Sequence, residues 1–283
     1  MTRYSRVLKG GKRTPPVDTI QLRAWYRTSE VSTGCFGFIN LLWECDMSYS
    51  ERLQALSSST VREYYDRLGM KLDFLSLFGM PAVNELITHS RFEKAQNIFE
   101  LGGGTGKLAR RLFEKHLPPK ARYIGCDISP VMIDLAQDRL KGYAENSQMI
   151  LAGSTVRFPL LDKEADRIIS VFVLDLLSDE DVSLFFKEAY RSLKPDGKVC
   201  LACLHQGTNI SSRMVSRLWT ALFERRPDIV GGCRPIDLNS FVDRHHWHVA
   251  HRKVMTPFLI PVEVWVLEKR DTYELERQQI SVQ

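Results

Sequence analysis

The residues that most clearly indicate a ligand-binding function lie in the segment FELGGGTGKL (residues 99–108). Four glycines fall within five consecutive positions there. Each glycine costs roughly 0.5–1 kcal/mol relative to alanine in regular structure. Such a cost is expected where the backbone bends tightly or a ligand comes very close. Two carboxylates accompany the glycines. Glu100 stands just before them, and Asp127 ends the next apolar run, where an acid can accept both hydroxyls of a ribose.

The spacing of the glycines excludes the dinucleotide pattern G-x-G-x-x-G. Counted from Gly102, the third glycine would stand at the position of Lys107. Counted from Gly103, the second glycine would stand at the position of Thr105. We therefore do not expect a nicotinamide oxidoreductase.

The elements that position these residues alternate between strands and helices. Apolar runs predict strands at 97–101, 122–128, 147–154, 165–177 and 198–205. Amphipathic segments with capping residues predict helices at 105–117, 129–145, 178–197 and 210–226. This alternation predicts an α/β fold with a doubly wound, mostly parallel seven-stranded sheet and helices on both faces. The runs at 247–255 and 262–269 predict an antiparallel hairpin at one edge.

Within this order, the spacing Glu100-x-Gly102-x-Gly104-x-Gly106 closely resembles the first motif of class I S-adenosylmethionine-dependent methyltransferases. DISPVMIDLA, which begins at Asp127, resembles the D-x-S-x-x-M-x-x-x-A pattern of that family. LAGSTVRFPLLDKEADRIISVFVLDLLSDED and FFKEAYRSLKPDGKV resemble later motifs of its ubiquinone/menaquinone-biosynthesis branch, with aspartate replacing one glycine of R-x-L-K-P-G-G. The resemblance covers about residues 60–205 and implies S-adenosylmethionine as the cofactor.

The resemblance also implies roles for individual residues. Gly102 and Gly104 let the backbone lie against the methionine and ribose, and Ile128 and Met132 flank the adenine. Ser154 stands where the family usually has an acid that reaches the adenine amino group, and its hydroxyl accepts that hydrogen bond more weakly. The predicted cofactor-binding residues are Tyr65, Glu100, Gly102, Gly104, Gly106, Asp127, Ile128, Met132, Ser154, Thr155 and Val171.

Two residues are candidates for catalysis. Methyl transfer from a sulfonium is a direct displacement, which needs alignment and a deprotonated nucleophile. Asp175 and His205 follow the fourth and fifth strands, where a base would stand beside the methyl group. The alternative interpretations are a polar residue leading a helix and a half-exposed histidine at a strand end, and no sequence feature decides between the two candidates.

Four histidines near the C-terminus invite a metal interpretation. On a strand, His246 and His248 would share one face, whereas His245 and His251 would share the other. This spacing matches no regular ligand set. We therefore assign no metal site and interpret the segment as a polar edge strand.

Three regions are expected along the 283 residues. Residues 1–57 form a basic, partly disordered head with an aromatic and apolar segment, STGCFGFINLLWECD, that lines an acceptor pocket, lids it or lies on a membrane surface. Residues 1–27 alone hold seven basic residues against one acidic residue, which suits contact with anionic groups. Residues 58–270 form the cofactor-binding methyltransferase domain, and residues 271–283 form a tail.

These features predict a methyltransferase that acts on O, N or C of a small, apolar or lipid-like acceptor. Two alternatives stay open: a non-catalytic, cofactor-binding partner subunit, and a nucleic-acid or protein methyltransferase guided by the basic N-terminus. LDLL replaces the N/D-P-P-Y motif after the fourth strand, which disfavours nucleic acid. Scattered cysteines without a secretory leader predict a cytoplasmic protein, with membrane-peripheral placement and organelle import as alternatives.

Overall fold

The computed structural model describes residues 58–69, 79–153, 155–226 and 230–270. The strands in these ranges are β1 (Asn97–Leu101), β2 (Arg122–Asp127), β3 (Ser147–Leu151), β4 (Ala165–Val171), β5 (Leu193–Leu204), β6 (Trp247–Met255) and β7 (Val262–Lys269). The α-helices are α1 (Ser58–Leu68), α2 (Met80–Ser90), α3 (Lys107–Lys115), α4 (Pro130–Arg139), α5 (Asp179–Ser192) and α6 (Ile210–Arg225).

All seven strands join one sheet in the order β3-β2-β1-β4-β5-β7-β6. The strands β3, β2, β1, β4 and β5 run parallel to one another, whereas β7 is antiparallel to both β5 and β6. The predicted mostly parallel sheet and the antiparallel edge hairpin are therefore confirmed. The strand order reverses between β1 and β4, and the carboxyl ends of these strands border the crevice where open sheets bind ligands.

The centre of the sheet is apolar on both faces. Ile168 and Ile169 are successive residues of β4, so their side chains point to opposite faces, and neither is exposed at all. This continuous burial explains why β4 reads as an uninterrupted apolar run rather than as an alternating one.

Serine caps set the starts of two helices, as the sequence predicts. The Ser129 hydroxyl accepts a hydrogen bond from the Met132 N–H at 3.1 Å, and proline is the first residue of α4. The Ser178 hydroxyl accepts from the Asp181 N–H at 3.1 Å, and α5 carries three acidic residues in its first turn. The predicted extension of α4 to residue 145 is wrong, since the α-helix ends at Arg139.

The predicted fourth strand at 165–177 is too long. The strand ends at Val171, Phe172 adopts a left-handed backbone conformation with φ 55°, and a 3₁₀ turn follows at Leu174–Leu176. The chain turns here because the buried Asp175 carboxylate accepts hydrogen bonds from the Leu204 N–H at the end of β5. A continued strand would carry that carboxylate away from its donor.

Several other boundaries also differ from the predictions: α3 spans Lys107–Lys115 instead of 105–117, and α5 ends at Ser192 instead of residue 197. The third strand ends at Leu151 instead of residue 154. The fifth strand begins at Leu193, because the Lys-Pro-Asp-Gly segment continues the strand rather than preceding it. The pairing with β4 shifts register between Ala165 and Arg167, which accommodates this segment.

A buried arginine fastens α2 to the sheet. Arg167 of β4 is 5% exposed, and its Nε donates to the Ser90 carbonyl at 2.6 Å. Its two terminal nitrogens donate to the Arg91 carbonyl at 2.9 Å and the Asp166 carbonyl at 2.7 Å. Two of these three carbonyls lie at the C-terminal end of α2, where the helix dipole favours a cation.

We expect Arg167→Leu to lower the free energy of unfolding by about 3 kcal/mol, because it leaves buried carbonyls without donors. Urea denaturation followed by circular dichroism measures this change. Arg122→Leu is the matched control, since Arg122 is exposed on β2, and it should stay within about 0.5 kcal/mol of the parent. Equal stability of the two variants would contradict the assigned role of Arg167.

Candidate functional site

The glycine-rich segment forms a tight turn between β1 and α3. Gly102, Gly104 and Gly106 all have positive φ, at 76°, 51° and 73°. The N–H groups of Gly102 and Gly103 both donate to the Cys126 carbonyl, at 2.8 and 3.0 Å. A side chain at Gly102 would come within 2.1 Å of the Val173 side chain. The turn therefore requires glycine both for its backbone conformation and for its close packing.

Asp127 joins the ends of β1 and β2. Its Oδ2 accepts from the Gly104 N–H at 2.9 Å, and its Oδ1 accepts from the Ser129 N–H at 3.0 Å. Burial raises the pKa of this carboxyl, and the two backbone hydrogen bonds counteract that effect in part. Each carboxylate oxygen has a second lone pair, and the side chain stays partly exposed. The carboxylate can therefore accept hydrogen bonds from a ligand that carries neighbouring hydroxyls.

The helix α1 lies beside this carboxylate. The Ser129 hydroxyl donates to Asp66, which ties α1 to the start of α4. The Tyr65 hydroxyl lies 3.9 Å from the Cys233 Sγ. Burial raises the pKa of Tyr65 most, and the nearby charge of Asp127 adds to the shift. The structure thus brings Tyr65 and Asp127 to the same site, although they are far apart in the sequence.

Glu100 is buried rather than open to solvent. Its carboxylate is 2% exposed and accepts a hydrogen bond from the Tyr123 hydroxyl of β2. Burial raises the pKa of Glu100 to about 7, and the Tyr123 hydrogen bond opposes this shift. Any influence of Glu100 on a ligand in the crevice is therefore transmitted through the ordered groups around it.

The remaining cofactor-binding predictions differ in their placement. Ile128 is partly exposed directly after Asp127, whereas Met132 is completely buried in α4. Val171 is partly exposed at the carboxyl end of β4, and Thr155 is exposed after β3. Ser154 lies outside the described residues. Met132 therefore packs in the core and supports the residues around the crevice.

Asp175 fastens the loop after β4 to β5. The side chain is fully buried, and both of its oxygens accept from the Leu204 N–H, at 3.1 and 3.2 Å. Its carbonyl accepts from the Arg234 N–H at 3.0 Å. Burial raises the pKa of Asp175 to about 8, despite the hydrogen bond from Leu204. Burial therefore favours the neutral form of this carboxyl group.

His205 stands at the end of β5 with one nitrogen already engaged. The Gly207 N–H donates to its Nδ1 at 2.9 Å, so the neutral ring carries its proton on Nε2. The half-buried ring borders an apolar depression, and its other lining residues are Leu204, Val215, Ser216, Trp219, Pro235, Ile260 and Pro261. The free edge of His205 is therefore a hydrogen-bond donor next to an apolar surface.

The four C-terminal histidines do not lie as strand alternation predicts. The strand β6 begins only at Trp247, so His245 and His246 precede it. A register shift follows within β6, since Val249 pairs with Leu267 but His251 pairs with Val266. Those two β7 residues face opposite sides of the sheet. The shift turns His251 towards α2.

Sequence reasoning missed two residues that surround His251. Glu85 and His89, on α2, lie next to it, and His89 stacks on His251 with ring centroids 3.5 Å apart. The Glu-x-x-x-His spacing places Glu85 and His89 on one helix face, but only the tertiary contact brings His251 to that face.

None of the helices in the described ranges is both long and apolar enough to cross a bilayer.

Comparison with known proteins identifies the family of the central segment. A family model described as "Methyltransferase domain" matches residues 98–197, which span β1 to the first half of β5. The match therefore includes the glycine-rich turn, Asp127 and the loop with Asp175.

Two relatives illustrate the sequence similarity. A malonyl-[acyl-carrier protein] O-methyltransferase of Marinomonas sp. (strain MWYL1) is 30% identical over 159 residues, covering 56% of this chain and 55% of the relative. A demethylmenaquinone methyltransferase of Lactobacillus johnsonii is 33% identical over 126 residues, covering 44% of this chain and 49% of the relative. The chain thus spans about half the length of these relatives.

The fold recurs in solved structures. The cyclopropane synthase MmaA2 of Mycobacterium tuberculosis superposes with a TM-score of 0.53 at 16% identity, covering 67% of this chain and 84% of that protein. Together with the family match, this likeness confirms the resemblance that the sequence motifs indicate. Residues 98–197 match the methyltransferase domain family, and the sheet built around them has the Rossmann-like methyltransferase fold.

Proposed function

We propose that this protein transfers a methyl group from S-adenosylmethionine to O, N or C of a small, apolar or lipid-like acceptor. The observation that carries the proposal is the Asp127 carboxylate, held by the Gly104 and Ser129 N–H groups at the strand-order reversal. Its free lone pairs suit the two ribose hydroxyls of the cofactor.

Other residues around the crevice suit the same cofactor. The left-handed turn at Gly102 and Gly104 leaves main chain rather than side chains next to the ligand. Ile128, which follows Asp127 and is partly exposed, would lie against the adenine. Tyr65, on α1, would cover the methionine end. The bound cofactor supplies an activated methyl group on sulfur, and the protein aligns the acceptor with it.

The depression beyond β5 is too small to enclose an acceptor, but its apolar lining favours contact with an apolar group. Its walls come from Leu204, from Val215 and Trp219 of α6, and from Ile260. In this proposal the His205 Nε2–H donates a hydrogen bond to a polar atom of the acceptor and orients it. The names of the two relatives specify different acceptors, a malonyl group on a carrier protein and demethylmenaquinone, so neither is adopted for this chain.

Asp175 acts as a positioning residue in this proposal rather than as a general base. Its side chain is buried against the Leu204 N–H, and burial keeps its pKa near 8. A completely buried side chain that is engaged with the Leu204 N–H does not reach the acceptor whose proton a base would remove. It instead holds the loop after β4 next to the end of β5.

The helix α6 supports a membrane-bound source for the acceptor. Ile210, Met214 and Leu218 repeat every four residues and are 80%, 65% and 64% exposed. Arg213 and Arg217 flank this apolar stripe and are also exposed. An exposed apolar stripe with flanking arginines suits an anionic lipid surface. The inner face of the same helix lines the depression beside His205.

We expect the purified protein to bind S-adenosylhomocysteine with micromolar affinity in isothermal titration calorimetry. Asp127→Ala removes the hydroxyl acceptor, and Gly104→Val forces a β-branched residue to a φ of 51°. Each should weaken binding by more than about tenfold. Asp179→Ala is the control, because this exposed residue pairs with Arg234 away from the turn.

Intact circular dichroism together with absent binding by the parent protein would overturn the proposed activity and favour the non-catalytic partner subunit. Binding without transfer of a labelled methyl group to apolar acceptors would favour the same alternative. Transfer to nucleic acid or protein in place of those acceptors would favour the second alternative, a nucleic-acid or protein methyltransferase.

We expect Asp175→Asn to retain methyl transfer within about threefold, because the amide replaces a carboxyl that is already neutral. The folded-state pKa of about 8 lies above the ordinary value of 3.8, so the folded protein holds a proton that the unfolded chain releases. Stability from this group is complete at low pH and is lost as the pH rises towards 8. Thermal unfolding between pH 5 and pH 9 should therefore be less pH-dependent in the variant. Loss of activity in a stably folded Asp175→Asn protein would restore Asp175 as a base.

We expect the protein to sediment with vesicles that contain phosphatidylglycerol and much less with pure phosphatidylcholine vesicles. Combining Met214→Glu with Leu218→Glu should reduce this binding by at least about tenfold, because burying each side chain contributes about 1.5–3 kcal/mol. Leu161→Glu is the control, since Leu161 is 76% exposed but lies outside α6. Unchanged binding by the double variant would remove α6 from the lipid contact.

A further inference from the structure

A cluster of metal-binding side chains lies away from the methyltransferase crevice. Glu85 and His89 come from α2, and His251 comes from the edge strand β6. One potential ligand atom of each residue lies within 4.8 Å of those of the other two. All three side chains are partly buried, at 16%, 37% and 20% exposure. The proposed methyl transfer makes no use of them.

The hydrogen bonds of the cluster leave ligand atoms available. The His89 Nδ1 lies 3.0 Å from the Glu85 carbonyl and 3.5 Å from the Glu85 Oε1, and in the tautomer that donates to the carbonyl the Nε2 carries the lone pair. A hydrogen bond from the opposite ring nitrogen is the usual way in which proteins orient a metal-binding histidine. The Lys253 ammonium binds the Glu85 Oε2 at 2.8 Å and leaves Oε1 facing the histidines.

The His251 Nε2 makes no hydrogen bond, although the Glu85 carboxylate lies beside it. The His251 Nε2 is 3.0 Å from the Glu85 Oε1, but it is buried and its direction does not make a hydrogen bond. When the His251 Nε2 carries no proton, this nitrogen and the carboxylate oxygen are two acceptors 3.0 Å apart, and a cation bound to both removes their repulsion. A buried polar atom that points into a cluster of ligands indicates that a group is bound there.

From these contacts we propose that Glu85, His89 and His251 form a zinc site that joins α2 to the edge of the sheet. Two imidazoles and one carboxylate are a common zinc ligand set, and a water molecule would complete the tetrahedron. The His89 and His251 rings stack with only 4° between their planes. The more exposed His89 ring must therefore tilt for both nitrogens to reach one ion. The site is independent of the proposed function, because its residues lie on α2 and β6 rather than at the carboxyl ends of β1, β2 and β4.

The test is the binding of Zn²⁺ and Co²⁺ to the full chain after treatment with a chelator. We expect micromolar Zn²⁺ binding in calorimetry, a visible absorption band typical of tetrahedral Co²⁺, and a higher unfolding temperature with Zn²⁺. His251→Ala and Glu85→Gln should each weaken Zn²⁺ binding by more than about tenfold. His248→Ala is the matched control, since His248 belongs to the same strand but is exposed, and it should bind as the parent does.

Circular dichroism and metal-free unfolding temperatures show whether each variant is folded. His89→Gln provides a second test at the most exposed ligand, where folding is least affected. Absent binding by the parent, or equal binding by the parent, His251→Ala and His89→Gln, would overturn the proposal. A sulfur-to-cobalt charge-transfer band would also overturn it, because that band would place the ion on cysteines.

Discussion

The hydrogen bonds that hold Asp127 are the constraint on which the candidate site depends. Gly104 donates to one oxygen from the turn after β1, and Ser129 donates to the other from the start of α4. The first contact links the end of β1 to the end of β2, and the second links the end of β2 to the start of α4. The Gly104 N–H can reach Asp127 only because the turn has positive φ at three glycines. The position of this one carboxylate therefore depends on the pairing of β1 with β2, on the conformation of the turn and on the start of α4.

Three other buried ionisable side chains link neighbouring segments without an opposite charge as the main partner. Asp175 accepts from a backbone N–H, Glu100 accepts from the Tyr123 hydroxyl, and Arg167 donates to main-chain carbonyls. Burial raises the pKa of both acids, to about 8 and about 7. Neutral or main-chain partners avoid the cost of burying two opposed charges. Asp175 fastens the loop after β4 and Arg167 fastens the end of α2, whereas Glu100 links β1 to β2.

The carboxyl edge of the sheet has two regions of different polarity. The ends of β1 and β2, with the turn at Gly104, form a polar cradle made largely of main chain. The end of β5, with α6, forms an apolar surface around His205. In the proposed activity the turn at Gly104 would hold the cofactor and the apolar surface around His205 would receive the acceptor with water excluded.

The sequence by itself determined the fold class, the glycine-rich turn, the helix caps and the position of Asp127 at the end of β2. These features depend on residues close together in the chain, whose conformational preferences act locally. Even the hairpin β6–β7 and its place at the edge of the sheet followed from its polar and apolar pattern.

Tertiary structure alone decided the features that depend on contacts between distant segments. The end of β4 was set by a hydrogen bond between Asp175 and Leu204, and a local apolar pattern cannot report a buried polar contact in a later strand. The side of the sheet that His251 faces was set by a register shift in β6, because one extra residue reverses the alternation of side chains. That reversal places His251 next to Glu85 and His89 of α2. The residue spacing within α2 or within β6 cannot predict that these two elements are in contact.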